Sequence, residues 1–137
     1  MKKTPEIRVL VVEPNRDIAD WMMPVLEDRG YGVDFCTQAD EAVQRIRNNR
    51  YDLVLVHDEV EIWPGRDLVK EVVRVSPFTC CGVITDMDAN EIHDRMESLG
   101  IVGHVGTKPD PETLNTLLDG FESIWKLTVP TAGSLAR

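Results

Sequence analysis

The feature that most narrows the fold is a regular alternation between two hydrophobic periods. Ile7–Val12 (IRVLVV), Leu53–Val56 (LVLV) and Cys80–Ile84 (CCGVI) are short, almost wholly apolar and rich in β-branched residues. Such runs suit strands buried on both faces, since a strand with one solvated face would alternate apolar with polar residues. Tyr31–Cys36 and Ile101–Gly106 are more mixed, as edge strands are. Between these runs apolar residues recur at helical spacing: Ile18, Met22, Val25 and Leu26; then Ala39, Ala42, Val43 and Ile46; then Leu68, Val69, Val72 and Val73. A shorter stripe holds Ile92, Met96 and Leu99, and the clearest holds Leu114, Leu117, Leu118, Phe121, Ile124 and Trp125. Thr37 and Asp40 resemble a capping box before the second helix, Asp110 and Pro111 suit the start of the fifth, and Pro24 predicts a kink in the first. Strand followed by helix, five times over, predicts a parallel sheet covered on both faces and joined by right-handed crossovers. The expected class is therefore α/β, a three-layer doubly wound (βα)5 sandwich.

The length of 137 residues suits one domain. We expect that domain to cover residues 1–127, with 128–137 (TVPTAGSLAR) as a flexible C-terminal tail or the start of a linker. Fifteen basic against 24 acidic residues give a formal charge of −9. An acidic surface repels phosphate backbones and anionic lipids, so neither direct nucleic-acid binding nor membrane binding is expected. Solubility is the plainest meaning of that charge. No apolar stretch is long enough for a membrane span and no signal-peptide pattern opens the chain, so a cytoplasmic location is expected. Cys36, Cys80 and Cys81 form no spaced pair. The adjacent two should point to opposite faces of a strand, as packed side chains rather than a metal clasp.

In an open α/β sheet the ligand site lies beyond the carboxyl ends of the strands. That rule selects Glu13-Pro14-Asn15, His57-Asp58-Glu59, Thr85-Asp86 and Thr107-Lys108-Pro109. No G-x-G-x-x-G, no P-loop and no G-x-S-x-G occurs, which removes the dinucleotide, nucleotide and hydrolase readings that depend on them. No nucleophile–base pair demands an enzyme.

With these residues in place, the chain from residue 7 to about 127 resembles the receiver domain of two-component response regulators. The resemblance is carried by VLVVE at 9–13, Gly30-Tyr31, DEAV at 40–43, DLVLV at 52–56, Gly65, VIT at 83–85 and Lys108-Pro109, in that order and at ordinary spacing. It implies a flavodoxin-like sheet with strand order 2-1-3-4-5. It also implies a switch in which acids after strands 1 and 3 hold Mg²⁺, the strand-3 aspartate takes a phosphoryl group from a kinase histidine, and a hydroxyl and a lysine hold the product. Glu13 matches the first acid, Thr85 the hydroxyl and Lys108 the lysine. Pro14 replaces the second acid, and His57 stands where a gapless alignment puts the phospho-accepting aspartate. The loop DEVEIWPG lacks the family's Met-Pro step, and the aromatic switch position falls on His104 or Val105.

Three readings of this departure stay open. In the first, the domain is an atypical receiver. It lacks the acceptor, has His57 filling the pocket (bonded to Glu13, for instance), and acts through protein–protein contacts. In the second, a one-residue bulge brings Asp58 into the acceptor position, with Glu13 and Asp58 on Mg²⁺. In the third, His57 and Glu13 hold a Zn-type metal, because imidazole prefers it. No cofactor is expected under the first. The partner implied is a histidine kinase or a downstream signalling protein, met through helix 4, strand 5 and helix 5 (roughly Asn90–Leu99, Ile101–Gly106 and Glu112–Lys126). Whether the domain forms a homodimer is left open, as is whether it stands alone or belongs to a larger protein.

Overall fold

The computed structural model describes residues 7–60, 63–96 and 100–128. The apolar runs form strands β1 (Arg8–Val12), β2 (Gly32–Cys36), β3 (Leu53–His57), β4 (Cys80–Ile84) and β5 (His104–Val105). The periodic segments form helices α1 (Arg16–Asp28), α2 (Ala39–Asn48), α3 (Gly65–Val75), α4 (Ala89–Met96) and α5 (Pro111–Thr128). The five strands are parallel and ordered β2-β1-β3-β4-β5, the expected doubly wound arrangement. A two-residue antiparallel hairpin, Glu59–Val60 with Trp63–Pro64, fills the step from β3 to α3.

Strand alternation sorts the core into two halves. Leu10, Val12, Val54, Val56, Cys81 and Val83 face α2, α3 and α4. Val9, Val11, Leu53, Leu55, Ile84 and Val105 face α1 and α5. Adjacent Cys80 and Cys81 do fall on opposite faces. Burial pushes the Cys36 thiol up to about 11 and the Cys81 thiol up to about 12, so both stay protonated and inert at neutral pH. Arg29, just past α1, donates to Asn115, Asp119 and Glu122 of α5, and Tyr31 also donates to Glu122. That network ties the first crossover to the last helix.

Several local expectations change. The cap of α2 is Gln38, with no side-chain capping bond, so Thr37 and Asp40 form no capping box. Pro24 does lie inside α1, as expected; it is exposed, so the Asp20 carbonyl that its missing N–H leaves free is on the solvent side. α5 begins as expected, with Asp110 accepting from the Thr113 amide at 3.1 Å. The regular strand β5 covers only His104–Val105 rather than Ile101–Gly106, although the Val102 amide and the Gly103 carbonyl also bond β4. Val73 and Ile124, counted in helical stripes, are substantially exposed. α5 includes Thr128, while Glu61, Leu99 and the expected tail at 129–137 lie outside the described residues. Among the described residues no helix is long and apolar enough to cross a membrane.

Phe121 is fully buried and meets Tyr31 edge to face at 6.3 Å between ring centres. Phe121→Ala is expected to lower the unfolding free energy by about 3–5 kcal/mol in urea titration. A loss under about 1 kcal/mol would show that this half of the core does not depend on the ring.

Candidate functional site

The site grows out of strand register. β1 and β3 pair Val9 with Leu53 through Val12 with Val56, so the next level brings Glu13 beside His57. β3 and β4 pair Leu53 with Cys80 through His57 with Ile84, so the next level brings Asp58 beside Thr85. Alternation gives the same matching: Glu13 and His57 follow the α1/α5 face, whereas Asp58 and Thr85 follow the α2/α3 face. The Asp58 amide donates to the Ile84 carbonyl at 3.0 Å, so the main chain keeps its β4 partner one residue past β3.

The Thr85 hydroxyl donates to Asp58 Oδ2 at 2.6 Å and accepts from the Met87 amide at 3.0 Å. Asp58 thus reaches Thr85 without the bulge that the sequence reading requires, because the β3–β4 register is regular up to His57 and Ile84. His57 Nδ1 lies 3.2 Å from Asp58 Oδ1 and 3.0 Å from the Glu59 amide. It is also 2.9 Å from the Glu59 carbonyl. In the Nε2–H tautomer, Nδ1 accepts from the amide; once protonated, it donates to the carbonyl or to Asp58. The imidazole is therefore engaged by Glu59 and Asp58, and the expected His57–Glu13 bond does not form.

Glu13 is buried, with 1% exposure. Its Oε2 accepts from the Asn15 amide at 3.0 Å, while Oε1 is buried without a hydrogen-bond partner. Burial raises its pKa from the ordinary value of 4.5; the Asn15 amide and the charge of His57 oppose that rise, and the charge of Asp58 adds to it. An orphaned carboxylate oxygen beside a second carboxylate is a place for a cation. Mg²⁺ is commonly held by one or two carboxylates, its own waters and substrate phosphate, so Glu13 and Asp58 fit it even with Pro14 in place of an acid. A Zn-type centre takes three or four protein ligands. Among the described residues no three His, Cys, Asp or Glu side chains are grouped to hold a metal.

Lys108 is exposed at the same edge. Asp86 accepts from the Thr107 hydroxyl at 2.6 Å and from its amide at 2.9 Å. These bonds, the hydroxyl's first, hold Asp86 below the ordinary carboxylate range, and the charges of Lys108 and His57 act in the same direction. The Trp21 indole N–H donates to the Thr107 carbonyl at 3.0 Å. Sequence reasoning gave neither Asp86 nor Trp21 a role. Trp21 follows Ile18 at helical spacing, the one signal that α1 turns it inward. At the proposed aromatic switch position, His104 is exposed and Val105 buried.

A five-stranded doubly wound sheet with an acid, a hydroxyl and a lysine at its carboxyl edge defines a receiver-type signalling domain. The model of the response regulator receiver domain family matches residues 9–119, and the chain belongs to that family. A response regulator receiver protein from Anaeromyxobacter sp. (strain Fw109-5) is 30% identical over 112 residues, covering 82% of this chain and 46% of that protein. The transcriptional regulatory protein CutR of Streptomyces coelicolor is 28% identical over 132 residues, covering 96% of this chain and 59% of CutR. The chain thus spans about half the length of these relatives. Among solved structures, a CheY-like receiver domain from Methanospirillum hungatei JF-1 superposes with a TM-score of 0.78 at 20% identity, covering 90% of this chain and 99% of that one, a likeness of fold. The chemotaxis protein CheY4 of Vibrio cholerae gives 0.76 at 25% identity, covering 84% and 98%.

The buried Glu13 carboxyl gives a pH dependence. Its folded pKa lies above the unfolded value, so the folded state binds more protons, and the stability that the neutral carboxyl contributes is lost as pH rises through the folded pKa. Glu13→Gln should therefore gain thermal stability relative to the unsubstituted protein as pH rises from below 4.5 to neutral. A difference in melting temperature that does not vary with pH would contradict this.

Proposed function

We propose that this receiver domain takes its phosphoryl group on Asp58 and passes the signal on through protein contacts. The supporting observation is the 2.6 Å hydrogen bond from Thr85 Oγ1 to Asp58 Oδ2, which joins the family's hydroxyl to a carboxylate one position beyond the aligned histidine. An Asp58 oxygen would attack the phosphorus of a kinase phosphohistidine. The new O–P bond replaces the P–N bond, and the departing imidazole takes up a proton. In this reading Thr85 would donate to the transferred group and Lys108 would neutralise its charge. Mg²⁺, when bound, supplies further neutralisation, and Glu13 and Asp58 are the residues that would hold it.

Under this reading the domain is a cytoplasmic signalling module rather than an enzyme. Its partners are a histidine kinase and a downstream protein met at α4, β5 and α5. On that face Ala89, Ile92, His93, Ile101, Val102, Gly103 and His104 line a groove of about 280 Å³.

A second reading keeps the domain unphosphorylated, as an interaction module. It is favoured by both Asp58 oxygens already having partners, Thr85 at 2.6 Å and His57 at 3.2 Å, and by Pro14 in place of an acid. Incubation with Mg²⁺ and acetyl phosphate, followed by intact mass measurement, separates the two. The first reading expects an adduct of roughly 80 Da, one phosphoryl group, lost in Asp58→Ala and kept in His57→Ala. No adduct on the unsubstituted protein would select the second reading, and an adduct that survives Asp58→Ala would exclude Asp58.

A further inference from the structure

We propose that Asp86 is the positioning residue for Lys108, holding the lysine's backbone where its ammonium serves a phosphoryl group on Asp58. This rests on the reading of Asp58 as acceptor. The parallel ladder between β4 and β5 ends where the Thr85 amide donates to the Val105 carbonyl at 2.8 Å. Past that bond the main chains no longer pair, and the segment leading to Lys108 would hang free. The Asp86 side chain takes over. Its two oxygens hold the Thr107 amide at 2.9 Å and the Thr107 hydroxyl at 2.6 Å.

From the opposite side, the Trp21 indole of α1 holds the Thr107 carbonyl at 3.0 Å. All three polar groups of the residue before Lys108 are thereby fixed. Gly106 leaves room for the grip, since a Cβ there would lie a tight 3.0 Å from Asp86 Oδ1. The grip is local to the site: Asp86 directly follows Thr85, which bonds Asp58, and Thr107 directly precedes Lys108. One turn of chain therefore sets the hydroxyl, and a carboxylate clamp attached to it sets the lysine. Asp86 does not touch the transferred group in this scheme, and its effect runs through Thr107.

The test compares Asp86→Ala, Asp86→Asn and Thr107→Val with the unsubstituted protein in two measurements. The first is amide hydrogen exchange at Thr107, which needs no phosphorylation. Asp86→Ala should speed exchange by about tenfold or more, while Asp86→Asn, whose amide oxygen still accepts one Thr107 bond, should fall between. The second is the rate of adduct formation with acetyl phosphate. Asp86→Ala should slow it by about tenfold. Asp86→Asn should recover part of the rate, and Asp86→Ala combined with Thr107→Val should be no slower than Asp86→Ala alone. An altered global stability cannot produce this pattern, and the melting temperatures check it. If the unsubstituted protein takes no adduct, the Asp58 reading fails, and unchanged Thr107 exchange in Asp86→Ala would overturn the clamp by itself. With labelling intact, a rate in Asp86→Ala equal to or faster than the original would overturn the proposal, the faster rate marking Asp86 as a competitor for Lys108.

Discussion

The arrangement of the site depends on the parallel register between β3 and β4. That register pairs His57 with Ile84, so the residues one step further, Asp58 and Thr85, arrive level and on the same face. The 2.6 Å hydrogen bond between them follows. A slip of one residue would exchange the faces of every side chain on the strand and set His57 against Thr85 instead. The slip is opposed by the packing of β3: Leu53, Val54, Leu55 and Val56 are all fully buried, split between two helical layers that differ in shape. The chemistry at the sheet's edge is thus set by hydrophobic burial in its middle.

Charge at that edge is balanced in an unusual way. Glu13, Asp58 and Asp86 supply the negative charge. His57 acts on Glu13 and Asp86 and lies 3.2 Å from Asp58, while Lys108 acts on Asp86. Pro14 removes one acid that the family would have, and His57 adds a base that it would not. The pocket has one carboxylate fewer to offer a divalent cation. The −9 of the whole chain does not describe this region, since most acids lie elsewhere on the surface.

Much of the fold was legible in the sequence because it rests on period. Buried parallel strands read as unbroken apolar runs and their crossovers as helical stripes, and the shortness and β-branched content of the runs mark them as strands. β5 was overestimated at both ends: its main chain bonds β4 from Val102 to Val105, and the regular strand is confined to His104–Val105. The capping box was misread because Thr37 and Asp40 have suitable types but the helix starts one residue later than the motif needs. Glu13, Thr85 and Lys108 could be placed at one edge by the strand-end rule alone. The choice between His57 and Asp58 could not be made that way. A gapless alignment selects His57, but the turn between β3 and α3 is built as a short hairpin, and its length does not fix which side chain meets Thr85. The strand-end rule brings Asp86 and Thr107 to the same edge, but nothing in the sequence pairs them with each other or with Trp21; Asp86 and Trp21 lie 21 and 86 residues from Thr107.

We propose that Asp58, and not His57, takes the phosphoryl group. An acyl phosphate on an aspartate is reduced by borohydride to homoserine, whereas phosphohistidine is not. Treatment with acetyl phosphate and Mg²⁺, borohydride reduction and peptide sequencing therefore read the site directly. Homoserine at position 58 is the result this account expects. A peptide with unmodified Asp58, or with phosphate retained on His57, would contradict it.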